Sequence, residues 1–467
     1  MSTIFSHISI SVSDKYSTSA KKSLSHWLAA FSLSIPFSFA HALDIQVTKG
    51  SDSFDGTCDS DCSLREAVQL ANQTPGPHII HLVGGDYFLS LPATVNGNDI
   101  LDEDNNVNGD LDVASQITIL GVGQDETILD ADNKDRFFEV LANASLNLRS
   151  LTLTNGLHSH DGGAIRNSGI LKLKDVRVIG NLVRHASGQN AFGGAVANYG
   201  DANISRTEFT DNHVLMPEEA SSFGGAIFNQ NILVIKDSSF RVNSAAAPGW
   251  SNQRSGGAIH NRGNADIARA IFAGNSSDGD GVALINEVDG SMVLSNTTLS
   301  RNFSSGDRDV GVLSNNGKLT IMHVTIADNL RAWGVFNRSD LLVRNSIIIG
   351  NRDYDRQYPR NCVNDGNAYT YKAKGLLVGN NYLTLPGVCQ GEKMLNDAVA
   401  FTQVLAPLAL NGSTLDTMAL RPGSPALDAG VGSCSSHDQR SLPRPVDGNQ
   451  DGTPICDLGA YERQANE

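Results

Sequence analysis

Apolar residues recur at fixed distances from a repeated asparagine along the middle of the chain. The first repeat begins with the hexamer GGAIRN at 162–167, and related hexamers follow at 193–198, 224–229, 256–261, 281–286, 311–316 and 332–337. In most repeats one apolar residue stands six positions after the asparagine and another stands eleven positions after it. Polar residues lie between them, which predicts half-buried β-strands. The first apolar series is Leu173, Ile204, Ile235, Ile267, Leu294, Ile321 and Val343, and the second is Val178, Phe209, Phe240, Phe272, Leu299, Ile326 and Ile348.

A second asparagine follows each hexamer, in segments such as VIGN at 178–181 and FTDN at 209–212. The two asparagines of a repeat are 14 residues apart in five repeats, and 16 and 13 residues apart in the other two. Between 2 and 12 residues then lead to the next hexamer. The fixed part predicts two strands separated by a turn, and the hexamer predicts a third short strand. Three strands at fixed phase are typical of one coil of a single-stranded parallel β-helix, in which coils stack about 4.8 Å apart.

The repetition favours an architectural role for the repeated residues. Phe209, Phe240 and Phe272 are expected to form one stack inside the β-helix. Glycine allows the backbone to turn where a side chain would strike the next coil. Asparagine tolerates left-handed backbone and forms hydrogen-bonded ladders between stacked strands. The alternative interpretation, that these residues bind a ligand or a metal, stays open.

A short helix is predicted before the coils. Ser63 and Glu66 have the spacing of a capping box, and Leu64, Ala67, Val68 and Ala71 follow helical spacing. An amphipathic helix of this kind suits the closure of the first coil, whose strand edge would otherwise be exposed. The predicted organisation is an all-β protein with an export signal at 1–42, an N-terminal cap and irregular coils at 43–160, regular coils at 161–351, and C-terminal coils with an end region at 352–467.

The first 42 residues have the features of a Sec-type export signal. Lys21 and Lys22 precede an apolar stretch that ends in Ala40-His41-Ala42, which predicts cleavage before Leu43. The alternative is a disordered arm followed by a buried helix. No later segment is long and apolar enough for a transmembrane helix. The sequence therefore predicts a secreted or cell-surface protein.

Six cysteines fit export, because disulfides persist outside the reducing cytosol. Proximity along the chain favours the pairs Cys58–Cys62, Cys362–Cys389 and Cys434–Cys456. A metal cluster is the competing interpretation, but no C-x-x-C pair and no nearby histidine set support it. The formal net charge of −15 argues against a nucleic-acid partner, because phosphate binding needs a basic surface.

Three long variable segments, at 182–192, 213–223 and 244–255, come from successive coils and are expected to project side by side. A glycan or another cell-surface polymer is the candidate ligand, and unselected solvated loops are the alternative. The candidate ligand-binding residues are Arg184, His185, His213, Trp250 and Arg254, with Glu218 and Glu219 in the same segments.

Two acidic segments resemble the first half of a calcium-binding loop, D-x-[DN]-x-[DN]-G, although both lack the final glutamate. Calcium is therefore the candidate ion, and an Asx-rich surface turn without an ion is the alternative. The candidate ligands are Asp104, Asn106, Asn108 and Asp112 in the first segment, and Asp447, Asn449 and Asp451 in the second.

No catalytic residue is predicted. A glycosidase needs two placed carboxyl groups, and a lyase needs a base beside cations. Asp130, Asp132, His160 and Asp161 supply the residue types, but no pair stands in a diagnostic motif. A secreted polysaccharide lyase or glycosidase remains the alternative function, and a purely structural spacer is a third.

Three motifs resemble known families. CSLREA at 62–67 is similar to the motif of the CSLREA domain of exported bacterial proteins, and the G-G-A-I and F-x-x-N motifs are similar to chlamydial polymorphic outer-membrane protein repeats. RPGSPALDAG at 421–430 and CDLGAYE at 456–462 resemble the choice-of-anchor Q domain of bacterial surface proteins. The resemblance implies a right-handed β-helix on an exported protein, without an established reaction. The sequence thus favours adhesion or carbohydrate contact without catalysis.

Overall fold

Parallel strands stacked in successive coils form the body of the described chain. The structure, a computed structural model, describes residues 42–97, 99–184, 189–216, 220–246, 254–306, 309–353, 357–365, 370–382 and 387–467. Nearly all of the predicted export signal lies outside these ranges. The repeats form a β-solenoid with about eight stacked parallel turns, which confirms the predicted parallel β-helix.

Four parallel sheets run along the β-helix, and one antiparallel pair, Val95–Asn96 with Asp99–Ile100, lies beside them. Sheet 1 contains the strands Asp44–Gln46, Pro77–His81, Gly85–Phe88, Gln116–Leu120, Thr127–Asp130, Ser145–Thr154, Ile170–Ile179, Asp201–Ser205, Glu208–Thr210, Ile232–Arg241, Asn264–Ala273, Ser291–Ser300, Lys318–Ala327, Asp340–Ile348, Tyr371–Gly379 and Lys393–Leu395. Sheet 2 contains Leu111–Val113, Phe138–Val140, Ile165–Asn167, Val196–Asn198, Ile227–Asn229, Ile259–Asn261, Leu284–Asn286, Gly311–Asn315, Trp333–Asn337 and Cys362–Asn364. Sheet 3 contains Leu157–His158, Leu182–Arg184, His213–Leu215, Ser244–Ala246, Ser276–Ser277 and Phe303–Ser304, and sheet 4 contains Ala191–Phe192, Ser222–Phe223 and Arg254–Ser255.

Equivalent residues of successive coils stand directly over one another. Each member of the two predicted apolar series is paired in register with the next member of the same series. The rings of Phe209 and Phe240 are 4.8 Å apart and nearly parallel, and Phe240 and Phe272 repeat this spacing. All three phenylalanines are fully buried. The predicted stack is confirmed, and it explains why no coil needs to be stable alone.

The fixed part of most repeats is one bent strand, where the sequence predicted two strands and a turn. In the bend, a single residue with a φ between 44° and 57° changes the strand direction. Side chains there stack as well, since Arg206 pairs with Asp175 and Arg269 pairs with Asp237. The bend residues are Ser150, Asp175, Arg206, Asp237, Arg269, Asn296, His323 and Asn345.

Two asparagine ladders run through the β-helix, as predicted. In the first, each side-chain Nδ2 donates to the Oδ1 of the asparagine one coil further on, at 2.6–2.9 Å. In the second, the corresponding distances are 2.8–3.2 Å. The hydrogen bonds satisfy buried amides that would otherwise destabilise the core. The first ladder contains Asn167, Asn198, Asn229, Asn261, Asn286, Asn315, Asn337 and Asn364, and the second contains Asn181, Asn212, Asn243, Asn275, Asn302, Asn329, Asn351 and Asn361.

Two details of these ladders differ from the prediction. The hexamer at 311–316 contributes Asn315 and not its last residue, Asn316. The left-handed conformation belongs to the residue before the asparagine of the second ladder in the coils from Asn181 to Asn351, for example Asp211 with a φ of 57° and Val242 with a φ of 56°. The asparagine itself is therefore free to point its amide along the stack.

The hexamer glycines act in two ways. The first glycine has a positive φ, for example 64° at Gly193. The second lies against the next coil, and a Cβ atom on Gly194 would overlap the carbonyl oxygen of Gly225. A larger residue at either position would disturb the coil.

The predicted helix spans Leu64–Gln73 and packs against the first coils. Ser63 and Glu66 form both hydrogen bonds of the capping box. The Arg65 guanidinium is buried, pairs with Asp52 and donates to three main-chain carbonyls of the 106–110 segment. The helix thereby closes the apolar core and fixes the segment beside it.

The three disulfides are Cys58–Cys62, Cys362–Cys389 and Cys434–Cys456, which are the predicted pairs. Disulfides of this number are compatible with an oxidising compartment.

Residues 396–467 pack on the side of the β-helix, after the last strand of sheet 1 at Lys393–Leu395. They contain a 3₁₀ turn at Asp397–Val399 and a π turn at Ala400–Val404. Leu458 and Tyr461 join an apolar cluster with Ile347 and Leu377 on the outer face of sheet 1. In the described part of the chain, no helix has the length and apolarity required to span a membrane.

Candidate ligand-binding groove

The outer face of sheet 2 presents two columns of side chains. In each strand the residues on either side of the central one face the core, so the central residue faces outward. From Asn198 onward, the residue after each asparagine of the first ladder forms the second column. The main-chain N–H of this residue donates to the carbonyl of the asparagine one coil earlier. The first column contains Glu139, Arg166, Ala197, Phe228, His260, Ile285, Ser314, Phe336 and Val363. The second contains Tyr199, Gln230, Arg262, Glu287, Asn316, Arg338 and Asp365.

The strands of sheet 4 contact this outer face. The ring of Phe192 lies 4.7 Å from that of Phe228, and the ring of Phe223 lies 4.8 Å from that of His260. The guanidinium of Arg262 stands 5.1 Å from the Phe223 ring centre. The long variable segments thus form an aromatic edge beside the two columns.

A groove of about 300 Å³ opens next to this edge. Its lining includes Arg254 and Ser255 from sheet 4, and its remaining residues come from the following coils. The lining residues are Arg254, Ser255, Gly279, Asp280, Ile285, Glu287, Asp309, Val310, Asn316 and Arg338.

Ion pairs hold the charged side chains of the groove in place. Arg338 donates through Nη1 to Asp280 Oδ2 at 3.0 Å and through Nη2 to Asp280 Oδ1 at 3.4 Å. Its guanidinium also stacks 4.1 Å from the ring centre of Phe336. Arg254 pairs with Asp278, and Arg360 pairs with Asp309. The lining therefore presents oriented hydrogen-bonding groups in a rigid frame.

His260 is fully buried and lies against Ser255 and Glu287, which line the groove. Its Nδ1 is 2.8 Å from Ser255 Oγ, and its Nε2 is 3.8 Å from Glu287 Oε1. Burial holds the pKa of His260 well below its usual value, so the imidazole is neutral. Because one ring nitrogen of a neutral imidazole accepts a hydrogen bond, Ser255 is positioned to donate to it.

A second charged cluster lies on the same face in earlier coils. Arg136 donates to Glu139 at 2.6 Å and lies 3.4 Å from Asp161, which also accepts from the Tyr199 hydroxyl at 2.9 Å. His158 contacts Arg136, and burial holds its pKa well below the usual value. This network is internally paired and nearly closed to solvent.

The four residues considered for catalysis lie in two places, Asp130 with Asp132 and His160 with Asp161. Asp161 belongs to the cluster around Arg136, whereas Asp130 accepts from the main-chain N–H of Asp132 at 2.8 Å. Asp130 also accepts from Asn155 at 3.0 Å. His160 lies beside His158, with ring centres 6.1 Å apart. No arrangement of two facing carboxyl groups links these four residues in the described structure.

Of the predicted ligand-binding residues that the structure describes, only Arg254 lines the groove. Arg184 is exposed at the end of its strand. His213 lies in the next coil, where its Nε2 is 2.9 Å from Asp211 Oδ1. His185, Trp250, Glu218 and Glu219 fall outside the described residues. Asp280, Glu287, Asp309 and Arg338 also line the groove and were not predicted from the sequence. The position directly after each ladder asparagine was a usable signal for Glu287 and Arg338, since it repeats in every coil.

The candidate calcium ligands occupy different environments. Asp104 is exposed, and Asn108 donates to Pro92 O at 3.2 Å. Asn106 and Asp112 are buried, and the Asn106 side chain pairs with the main chain of Asp112.

In the second acidic segment the side chains cap their own turn. Asp447 accepts from the N–H groups of Asp451 and Gly452, and Asn449 accepts from that of Asp451. Among the described residues, this segment does not bring three acidic side chains together in the manner of a metal site.

Comparisons of this chain with protein-family models, with curated proteins and with solved structures give no match.

Proposed function

We propose that this protein is exported or surface-associated and binds a carbohydrate chain in the groove lined by Arg254, Asp280, Glu287 and Arg338, without catalysis. The observation that carries the proposal is the two-point Arg338–Asp280 pair, oriented beside an aromatic edge in an open groove. The three disulfides and the signal-like N-terminus support export. The resemblance of CSLREA at 62–67 to a motif of exported bacterial proteins supports the same location.

The chemistry of the groove suits sugar hydroxyl groups. A hydroxyl donates to one partner and accepts from another, and the groove offers carboxylate acceptors beside guanidinium and amide donors. Since these groups are already paired at fixed positions, little side-chain freedom is lost when a ligand binds. Within the groove, Glu287, Asn316 and Arg338 of the second column stand in successive coils, so a linear polymer could contact them one after another.

The ion pairs argue against glycoside hydrolysis. That reaction needs one carboxyl group that carries a proton and a second that is ionised. In the groove, Asp280 and Asp309 are each held by an arginine. Glu287 accepts from Asn316 Nδ2 at 3.4 Å. The described lining therefore favours binding over proton transfer.

The test is retention of the purified protein on an array of neutral and acidic polysaccharides, followed by incubation with each ligand that retains it. We expect saturable retention without new reducing ends and without the ultraviolet absorbance of unsaturated sugar products. Either product would show catalysis and contradict the proposal.

Arg338→Gln removes both hydrogen bonds to Asp280 and is expected to weaken retention at least tenfold. Arg301→Gln is the matched control, because Arg301 also pairs with an aspartate but does not line the groove. Equal retention of both variants and the unmodified protein would show that the carbohydrate does not bind in this groove.

A further inference from the structure

Three carboxylates converge in the segment that leads into sheet 2, outside the groove. Glu103, Asp110 and Asp112 each bring a carboxylate oxygen within 4.8 Å of the other two. Asp110 is 2% exposed and Asp112 is 1% exposed. Like charges at this distance repel each other strongly when they are removed from water.

Each of these carboxylates leaves one buried oxygen without a hydrogen-bond partner: Glu103 Oε1, Asp110 Oδ2 and Asp112 Oδ1. The remaining oxygens of two of them are used locally, since Glu103 Oε2 accepts from Asn105 N and Asp112 Oδ2 accepts from Asn106 N. Buried oxygens of charged groups are rarely left unpaired, unless an ion or a proton satisfies them.

The surrounding charges do not compensate the carboxylates. Asp110 Oδ2 lies 3.7 Å from Arg136 Nε, but Arg136 is shared with Asp102, Glu139 and Asp161. The region therefore carries an excess of buried acid.

The main chain around the three carboxylates is fixed. Asn106 and Gly109 have φ values of 58° and 67°, and these bends turn Asp110 and Asp112 toward the interior. Arg65 donates to the carbonyls of Asn106, Gly109 and Asp110 at 3.4, 2.7 and 3.1 Å. Because the main chain is already fixed, little reorganisation is needed when an ion binds.

We propose that Glu103, Asp110 and Asp112 bind a Ca²⁺ ion. Calcium takes oxygen ligands at about 2.3–2.6 Å, so two ligands of one ion lie at most about 5 Å apart. The span of the three oxygens fits this limit. Relative to the ligands predicted by spacing, Asp112 is retained, and Glu103 and Asp110 replace Asp104, Asn106 and Asn108. The proposal is independent of carbohydrate binding.

The test is isothermal titration of the full-length, chelator-treated protein with CaCl₂, together with its melting temperature in Ca²⁺ and in chelator. We expect saturable binding of one ion at this site and a melting temperature several degrees higher with Ca²⁺. Absence of binding heat together with an unchanged melting temperature would overturn the proposal, as would binding of Mg²⁺ in preference to Ca²⁺.

Asp112→Asn is expected to weaken Ca²⁺ binding at least tenfold, and Asp104→Asn, in the same segment but exposed, is the matched control. Glu103→Gln is a second variant at a half-buried position, for use if Asp112→Asn does not fold. Both Glu103→Gln and Asp112→Asn should abolish the Ca²⁺-dependent rise in melting temperature. Loss of binding in Asp104→Asn, with full binding in Glu103→Gln, would show that the ligands are those of the spacing pattern and not these three.

Discussion

Residues with left-handed backbone determine where each coil bends before the second ladder. Glycine occupies the position before the asparagine at Gly180, Gly274 and Gly350, whereas valine occupies it at Val242 with a φ of 56°. This conformation costs a residue with a side chain roughly 1–2 kcal/mol, and more is expected for a β-branched one. Val242 is therefore expected to destabilise the folded protein relative to a glycine at this position.

Val242→Gly is expected to stabilise the protein by up to about 1 kcal/mol. Relief of the backbone conformation outweighs the additional chain entropy that glycine loses, which is about 0.5–1 kcal/mol. Val293→Gly is the matched control, because Val293 is similarly accessible but lies within the strand Ser291–Ser300. Urea unfolding should show a higher midpoint for Val242→Gly and a lower one for Val293→Gly. A decrease in both would contradict the explanation.

His323 makes stability depend on pH. Burial and the nearby Arg444 lower the pKa of His323 to about 3, and only a weaker hydrogen bond, to Asp457, raises it. In the unfolded chain the pKa returns to about 6.5. The contribution of neutral His323 to the free energy of unfolding is complete above about pH 6.5. This contribution is lost as the pH falls toward 3, because the unfolded state then binds a proton that the folded state excludes.

The variant His323→Asn places at this bend the residue found at Asn296 and Asn345, where the φ values are also positive. We expect the stability difference between unmodified protein and variant to shift by about 1.4 kcal/mol per pH unit below pH 6.5, in favour of the variant. Urea unfolding from pH 7.5 to 4.5 measures this difference. His437→Asn, at an exposed histidine, serves as the control. A pH-independent difference for His323→Asn would show that burial does not suppress its protonation.

Some of these residue roles were predictable and others were not. The asparagine ladders follow from repetition, because an amide at the same place in every coil must meet its neighbours. The bend at Asp175, Arg206 and His323 has no common chemistry in the sequence. Backbone conformation there is imposed by stacking, so residue type alone gives no signal.

At the scale of secondary-structure elements, the bent strands were predicted as pairs because apolar residues stand five positions apart across the bend, as at Leu173 and Val178. An odd spacing breaks the alternation of a straight strand, which a turn would explain. In the structure, one left-handed residue, Asp175, bends the strand so that Leu173 and Val178 both face the core, and the strand stays continuous. Hydrogen bonding to both neighbouring coils holds the strand together across the bend.

The helix at Leu64–Gln73 does more than close the core, because Arg65 connects it to the 106–110 segment. Both the Arg65 side chain and its partner Asp52 are nearly inaccessible, with exposed fractions of 0% and 3%. Helical spacing and the capping box predicted the helix, but nothing in the sequence indicates which segment a buried arginine contacts. Two of the ligands proposed for calcium, Glu103 and Asp110, were missed because the sequence does not indicate which carboxylates of this segment turn inward.

Arg65→Met is expected to destabilise the protein by about 3–5 kcal/mol, because the buried Asp52 carboxylate loses its counter-charge and keeps only the main-chain N–H groups of Ser90 and Leu91. Lys49→Met removes the solvent-exposed Lys49–Asp61 pair and should destabilise the protein much less than Arg65→Met. Urea unfolding of the two variants makes the comparison. Similar midpoints would show that Asp52 is compensated in another way.

At the scale of the whole molecule, a repetitive body is joined to a region without repeats. The β-helix was predictable because its period appears in the sequence. Residues 396–467 lack a period, and their docking depends on particular contacts, such as Val431 N with Asn345 Oδ1 at 2.8 Å. Apolar residues on the outer face of sheet 1, such as Ile347, are covered by this region. The groove could not be predicted for the same reason, because the residues that line it are far apart in the sequence.

Docking of the C-terminal region can be tested with two leucines. Leu458 is 1% exposed within the apolar cluster, whereas Leu410 is 64% exposed in the same region. Leu458→Asp buries a charge without a partner and is expected to release the region, because the cost exceeds what lateral packing alone provides. Limited proteolysis under native conditions should then cleave Leu458→Asp within 396–467 much faster than Leu410→Asp. The repeats should resist cleavage in both variants, since their strands are held by coils on either side. Equal cleavage rates would mean that the region is held by its hydrogen bonds to Asn345 and not by its apolar face.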